Sequence, residues 1–295
     1  MHPGPPLVLA VAVAAALPAA AAALDLHALW DFAQPEVSEQ RFRSLLPGAT
    51  AEQALILQTQ IARSYGLRRR LEEARALLLS LRPQLDGAGA EAQVRWQLEW
   101  GRTWASAVHE RQTLPEADRE IAGGAFRAAA TTARAARLDA LAVDALHMLP
   151  FTSADRQQDL AWNHEALALA LASPQPDARR WEASLRNNIG VTLNELGRHA
   201  QALPMLQQAL AALQRQQAPV ERIRVGDWMV AHTLRLLGRD DEALAIQQRL
   251  ERDNAADGRP DPYVFEELAL LYRARGDEAR AADYAARAKV HATED

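Results

Sequence analysis

The sequence contains no cysteine, which excludes disulfides, thiolate metal sites, a cysteine nucleophile and a lipoprotein acylation site. Lysine is almost missing as well: Lys289 is the only one, and arginine supplies the rest of the positive charge. Aromatic residues amount to 5% of the chain, and no long run alternates Val, Ile and Thr as a half-buried strand would. The net charge of −5 is distributed with both signs interspersed. No basic patch carries interleaved aromatics, so nucleic-acid binding has no support. Phosphate-cradling patterns are absent too: neither G-x-x-x-x-G-K-[ST] nor G-x-G-x-x-G occurs, and Gly123-Gly124 stands isolated. There is no HExxH and no close histidine pair, while His164 and Glu165 are adjacent and point to different sides of a helix. No G-x-S-x-G elbow or S-x-x-K stretch stands out. The expectation is a non-enzyme with no cofactor and no metal; an enzyme would need dispersed active-site residues.

What the chain does have is apolar content of 49%, much of it alanine, the strongest helix former. An all-α fold follows. Residues 7–16 form an uninterrupted apolar stretch, and Ala21-Ala22-Ala23 precede Leu24-Asp25, the h-region and cleavage pattern of a secretory signal peptide over residues 1–23. No Lys or Arg precedes the apolar run, which leaves an atypical signal or a start elsewhere open. The rival reading, an uncleaved anchor, has only 18 residues over 7–24, interrupted by Pro18. The expectation is therefore a periplasmic or secreted protein with no stable membrane span after signal removal. Residues 24–49 precede the first repeating unit. Pro35 and Ser38 suit a helix start there, with Trp30 and Phe32 as a cap over the first exposed face.

From residue 50 onward, helical hairpins recur about every 40 residues. The best formed covers 187–210. Ile189, Gly190 and Leu193 share one stripe, Ala202, Leu206 and Ala209 another, and Gly197 lies at the turn between them. The pattern returns around Val230, Ala231, Leu234, Gly238 and Ala243, and again around Leu268, Ala269, Tyr272, Gly276 and Ala281. Earlier hairpins carry Ile61, Ala62 and Tyr65 with Arg68–Arg70 at the turn, a charge run read as solvated. Another carries Trp100, Gly101 and Trp104, with a longer turn near 109–116. Trp96, Trp100 and Trp104 share a helix face and read as packing residues, Trp96 least securely. In the third hairpin, residues 138–149 form the first helix and 154–172 the second, with Thr152 and Asp155 as a capping box. Asp144 and His147 lie one turn apart there and could hydrogen-bond.

These hairpins resemble tetratricopeptide repeats, with the pattern W-x2-L-G-x2-Y, then A-x3-F, then P. The likeness is good at the fourth and sixth hairpins and poor at the third. The leading tryptophan is mostly absent, Phe265 coming nearest, and Ala285 stands where a larger residue is usual. The turn glycines Gly197, Gly238 and Gly276 lie 41 and 38 residues apart, against a family period of about 34. The resemblance implies a right-handed α-solenoid of about six antiparallel hairpins over residues 50–292. Its first helices would line a groove that receives a protein or peptide partner. The candidate groove residues are Arg63, Arg102, Asp144, His147, Asn187, Asn194, Trp228, His232, Arg235, Glu266 and Arg273. Asparagine is a poor helix former, so Asn187 and Asn188 need a reason to sit mid-helix, and one of them is expected to bond a neighbouring hairpin. The alternative to an adaptor is a ligand- or peptide-responsive sensor with an enclosed pocket near Asp144, His147 and Trp162.

Overall fold

The computed structural model describes residues 24–291; the expected signal segment, 1–23, lies outside the described residues, as does residue 292. The helices are α1 (Leu26–Leu29), α2 (Pro35–Leu45), α3 (Ala51–Leu67), α4 (Leu71–Leu81), α5 (Ala90–Arg102), α6 (Glu116–Ala135), α7 (Asp139–Met148) and α8 (Arg156–Ala172). They continue with α9 (Pro176–Arg179), α10 (Glu182–Glu195), α11 (His199–Arg215), α12 (Val220–Leu236), α13 (Asp240–Ala256), α14 (Pro262–Ala274) and α15 (Glu278–His291). No strand occurs among the described residues. Helices α3/α4, α5/α6, α7/α8, α10/α11, α12/α13 and α14/α15 pair into six hairpins, each stacked on the next in a right-handed solenoid. The first helices α3, α5, α7, α10, α12 and α14 line one face.

Local chemistry sets the helix ends. Thr50 and Gln53 form a reciprocal capping box at the start of α3. Asp261 caps α14 with Pro262 in its first turn. The turns at Gly197, Gly238 and Gly276 have φ of 70°, 71° and 76°, the left-handed conformation that glycine adopts without a Cβ penalty. In the first hairpin Arg69 takes the same conformation at φ 59°. Of the charge run expected to be solvated, Arg69 and Arg70 are exposed, Arg69 Nη1 donating to the Val108 carbonyl at 3.0 Å and Arg70 pairing with Glu73, whereas Arg68 is partly buried and its guanidinium pairs with Glu39 of α2.

Small residues set the closest approaches. A Cβ on Gly101 would lie 2.4 Å from the Phe126 ring, and one on Gly190 would lie 2.5 Å from Leu206. Hairpins α5/α6 and α10/α11 therefore close at a distance only glycine permits. Trp96 and Trp100 of α5 and Trp104 just beyond its end are packing residues: Trp96 stacks on Trp100 at 5.5 Å, Trp100 meets Trp104 edge-on, and Trp96 Nε1 donates to the Leu78 carbonyl at 2.7 Å. At the N-terminal end α2 packs on α3 through the fully buried Phe42, with Trp30 edge-on against it. Phe32 stacks on Trp30 but is 59% exposed.

Two boundaries differ from expectation. α5 ends at Arg102, so the turn before α6 spans 103–115 and is longer than the residues around 109–116 suggested. In the third hairpin α8 begins at Arg156, capped by Asp155 alone. The Thr152 hydroxyl instead donates to the Leu149 carbonyl within a tight 3-10 turn, because Pro150 ends the preceding helix there. No helix among the described residues is long and apolar enough to cross a membrane.

Candidate functional site

On the face lined by the first helices, α3, α5 and α7 bring four charged side chains together. Arg102 of α5 donates through Nη1 to Glu99 Oε1 at 2.5 Å and through Nη2 to Asp144 Oδ1 of α7 at 2.5 Å. Arg63 of α3 reaches Glu99 Oε1 at 3.4 Å. All four are largely withdrawn from solvent, Glu99 most of all at 3% side-chain exposure. Burial on its own would raise the Asp144 pKa, but the Arg102 and Arg63 charges outweigh it and hold the carboxyl below its usual range. Burial would equally lower Arg102, yet Asp144 and Glu99 keep it above the ordinary arginine value. Arg63, with a longer ion pair and Arg102 nearby, is pushed down by burial.

His147 sits beside this cluster. It makes no hydrogen bond to Asp144, one turn away, whose Oδ1 accepts from Arg102. The Asn188 amide of α10 lies 3.1 Å from His147 Nδ1, so the asparagine that ties neighbouring hairpins is Asn188. Burial lowers the His147 pKa, opposed by Asp144. A neutral ring accepting from Asn188 at Nδ1 carries its proton on Nε2. The Trp181 ring lies 5.1 Å from it and Phe151 meets it edge-on.

These groups border a cavity of about 200 Å³. Its charged rim is Arg63, Glu99, Arg102 and Asp144, and its apolar wall includes Met148, Phe151 and Trp181. Residues 106–108 of the long turn lie across one side. That turn is held down from α4 and the first hairpin turn: Arg75 donates to the Thr103 carbonyl at 2.6 Å and Arg69 to Val108. Glu99 Oε2 and Arg63 Nε are buried without a hydrogen-bond partner among the described residues. Trp162, expected near Asp144 and His147, is not there. It lines a separate depression with Glu116, Arg119 and Arg127.

A second polar cluster lies toward the C-terminal end. Arg235 of α12 grips Glu267 of α14 with two bonds, at 2.7 and 2.8 Å, and His232 Nδ1 lies 2.9 Å from the same carboxylate. Burial would raise the Glu267 pKa, but bonds from His232 and Arg235 hold it below its usual value. Trp228 stacks on His232 at 5.0 Å and donates from Nε1 to the Tyr263 carbonyl. Asn194 donates to Thr233 Oγ1 at 2.7 Å and meets His199 Nδ1 through its oxygen. Of the remaining candidates, Asn187 borders a separate cavity with Arg222 and Gly226, and Glu266 and Arg273 border a shallow one with Lys289. Glu99 and Glu267, the carboxylates that organise the two clusters, were not among the sequence candidates, nor was Trp181. Among the described residues no group of three or more His, Asp or Glu is placed to hold a metal ion.

The tetratricopeptide repeat family matches residues 183–215, which cover α10 and α11. Those residues are similar to a tetratricopeptide repeat. Solved tetratricopeptide solenoids have the same fold at low sequence identity. A STAND ATPase with a tetratricopeptide repeat sensor from Pyrococcus horikoshii superposes with TM-score 0.65 at 12% identity, over 87% of this chain and 39% of that one. Apo RapI superposes with TM-score 0.68 at 10% identity, over 90% of this chain and 72% of that one. A Rap protein complexed with competence and sporulation factor gives TM-score 0.58 at 13% identity, over 91% and 73%. This chain thus spans well under half of the STAND protein's length. No curated protein matches it in sequence.

Proposed function

We propose that the chain is a non-catalytic tetratricopeptide scaffold that captures a protein or peptide partner on the face lined by its first helices. We propose further that it does so in the periplasm or outside the cell, after removal of residues 1–23. The observation that carries the binding reading is the cavity at Arg63, Glu99, Arg102 and Asp144, walled by Met148, Phe151 and Trp181. It combines an apolar wall with a few buried polar groups, the make-up of a recognition pocket. The similar Rap protein, solved in complex with competence and sporulation factor, makes capture of a partner a natural expectation for such a face. A sensor reading gains from one feature of the same cavity. Its lining comes from α3, α5 and α7, with Trp181 at the start of α10, so a ligand there bridges four hairpins and would bias the curvature of the stack.

Affinity capture of the mature protein from envelope extract tests the scaffold reading. Reversing the charge of Arg63, Arg102 and Arg235 together is a poor control, because Arg102 and Arg235 hold buried carboxylates and their reversal would set like charges together. Gly66→Leu is the better one. Gly66 borders the cavity and a Cβ there meets nothing within 4 Å, so a larger side chain can fill the cavity without disturbing the stack. A stoichiometric partner recovered by the native protein and lost with Gly66→Leu is the expected result. Equal recovery with both would remove this face from the reading. N-terminal sequencing of the mature protein tests export: an intact Met1 in the soluble fraction would contradict it.

A further inference from the structure

The turn between α5 and α6, residues 103–115, is tied to the hairpins on both sides of it. From the first hairpin, Arg75 donates to the Thr103 carbonyl and Arg69 to the Val108 carbonyl. Toward the third hairpin, Arg111 donates from Nε to the Ser153 carbonyl at 2.9 Å and from Nη2 to Asp159 Oδ2 at 2.5 Å. The turn is thus a strap across three hairpins. Its residues 106–108 form one side of the cavity bordered by Arg63, Arg102 and Asp144.

A histidine closes the part of the strap that faces the cavity. The Ser106 N–H donates to His109 Nδ1 at 3.1 Å, and the His109 N–H donates to the Ser106 carbonyl at 3.0 Å, so the two residues clasp the loop between them. A backbone N–H can only donate, so Nδ1 carries no proton and the neutral ring has its proton on Nε2. A second proton has to go to Nδ1. It would set one N–H against another and break the clasp.

The surroundings resist that proton yet leave the closed strap poorly compensated. Burial, the largest influence, disfavours a charged ring, and Arg75 of α4 adds to it. The Thr103 and Ser106 carbonyls and Asp118 of α6 favour the charge, but burial prevails and the pKa falls below the ordinary histidine value. Glu110 and Arg111, next in the chain, are engaged elsewhere: Glu110 with the Thr113 hydroxyl, Arg111 with Ser153 and Asp159. His109 Nε2, Trp104 Nε1 and Arg75 Nε are buried donors with no partner among the described residues, and the Arg75 guanidinium lies 3.7 Å over the Trp104 ring. A sealed donor without a partner is a standing cost that water removes when the segment lifts.

We propose that residues 103–115 are an acid-released strap over this cavity, shut while His109 holds Ser106 and lifted when the ring takes up a proton. Access to the cavity then rises on acidification. This deepens the scaffold reading and rests on it for what the cavity admits. The chain has no cysteine, so Ala107→Cys, at an exposed position that borders the cavity, carries a single nitroxide label. Electron paramagnetic resonance of the full mature chain is recorded at about pH 7.5 and about pH 5, either side of the ordinary histidine pKa. The label should be immobile at the higher pH and gain a mobile component at the lower, with helicity by circular dichroism unchanged. His109→Gln should make the two spectra alike. If that variant does not fold, the ring nitrogen shifts of the native His109 decide: protonation in step with the label supports the strap, and a ring still neutral when the label is freed overturns it. A spectrum that does not change with pH, a gain that persists in His109→Gln, or a gain that comes only with loss of helicity would each overturn it as well. None of these readouts involves a partner, so their failure leaves the scaffold reading in place. That reading fails separately, if Gly66→Leu leaves partner recovery unchanged.

Discussion

The two polar clusters on the first-helix face use the same chemistry and finish it differently. In the C-terminal half, Glu267 is fully engaged: Arg235 holds both of its oxygens and His232 reaches one of them. In the N-terminal half, Glu99 crowds two guanidinium groups onto one oxygen and leaves the other unpaired beside a cavity. A completed cluster ties neighbouring hairpins together and needs nothing further. An incomplete one leaves a charged acceptor sealed in the interior without compensation. The contrast separates a fully compensated cluster from one that keeps an uncompensated oxygen, although both lie on the same face.

The largest expected effect comes from removing the central cation of the N-terminal cluster. Arg102→Ala would leave Asp144 and much of Glu99 uncompensated, at a cost of about 3–5 kcal/mol in urea unfolding. Arg235→Ala leaves Glu267 its His232 contact and should cost less, about 1.5–3 kcal/mol. Equal losses would mean that the two clusters do not differ in kind.

Glycines on consecutive first helices sharpen the comparison. Gly101→Ala drives a Cβ into the Phe126 ring and should destabilise by about 1–3 kcal/mol. Gly66→Ala meets open space and should be neutral or stabilising by up to about 1 kcal/mol. A matching loss at both positions would show that Gly66 is a packing residue after all.

The pH dependence of stability should follow the N-terminal cluster. His147 has its pKa lowered by burial, so the folded protein prefers the neutral ring. That contribution is fully present above the unfolded value of about 6.5 and is lost as the pH falls through the lower folded value. Thermal midpoints should drop on acidification through this window, and His147→Gln should flatten part of the slope. His109 and His164, also lowered by burial, keep the rest. An unchanged slope in His147→Gln would remove His147 as a contributor.

The smallest effect tests the turns. Gln217 adopts φ 51° after α11, and Gln217→Gly should relieve up to about 1 kcal/mol of left-handed strain.

The hairpins were legible in the sequence because their packing is encoded locally. Gly190 opposite Leu206, and the left-handed turns at Gly197, Gly238 and Gly276, follow from spacing alone. The clusters were legible only in part. Arg63, Arg102, Asp144 and His147 do come together, as do Trp228, His232 and Arg235. The carboxylates they serve were hidden by register. Glu267 is buried while Glu266, one residue earlier and about 100° around the helix, borders a shallow cavity at the end of the stack. Glu99 precedes the packing residues Trp100 and Gly101 and reads as surface until α3 and α7 cover it. Trp162 was expected beside Asp144 and His147 but lines a separate depression, and Trp181, which does border the cavity, was not singled out.

The most direct test of the account is amide hydrogen exchange of the full mature chain with and without the partner recovered by affinity capture. Recognition at the Glu99 cavity predicts slowed exchange in α3, α5 and α7, with α12 and α14 unchanged. Protection confined to α12 and α14 would contradict it.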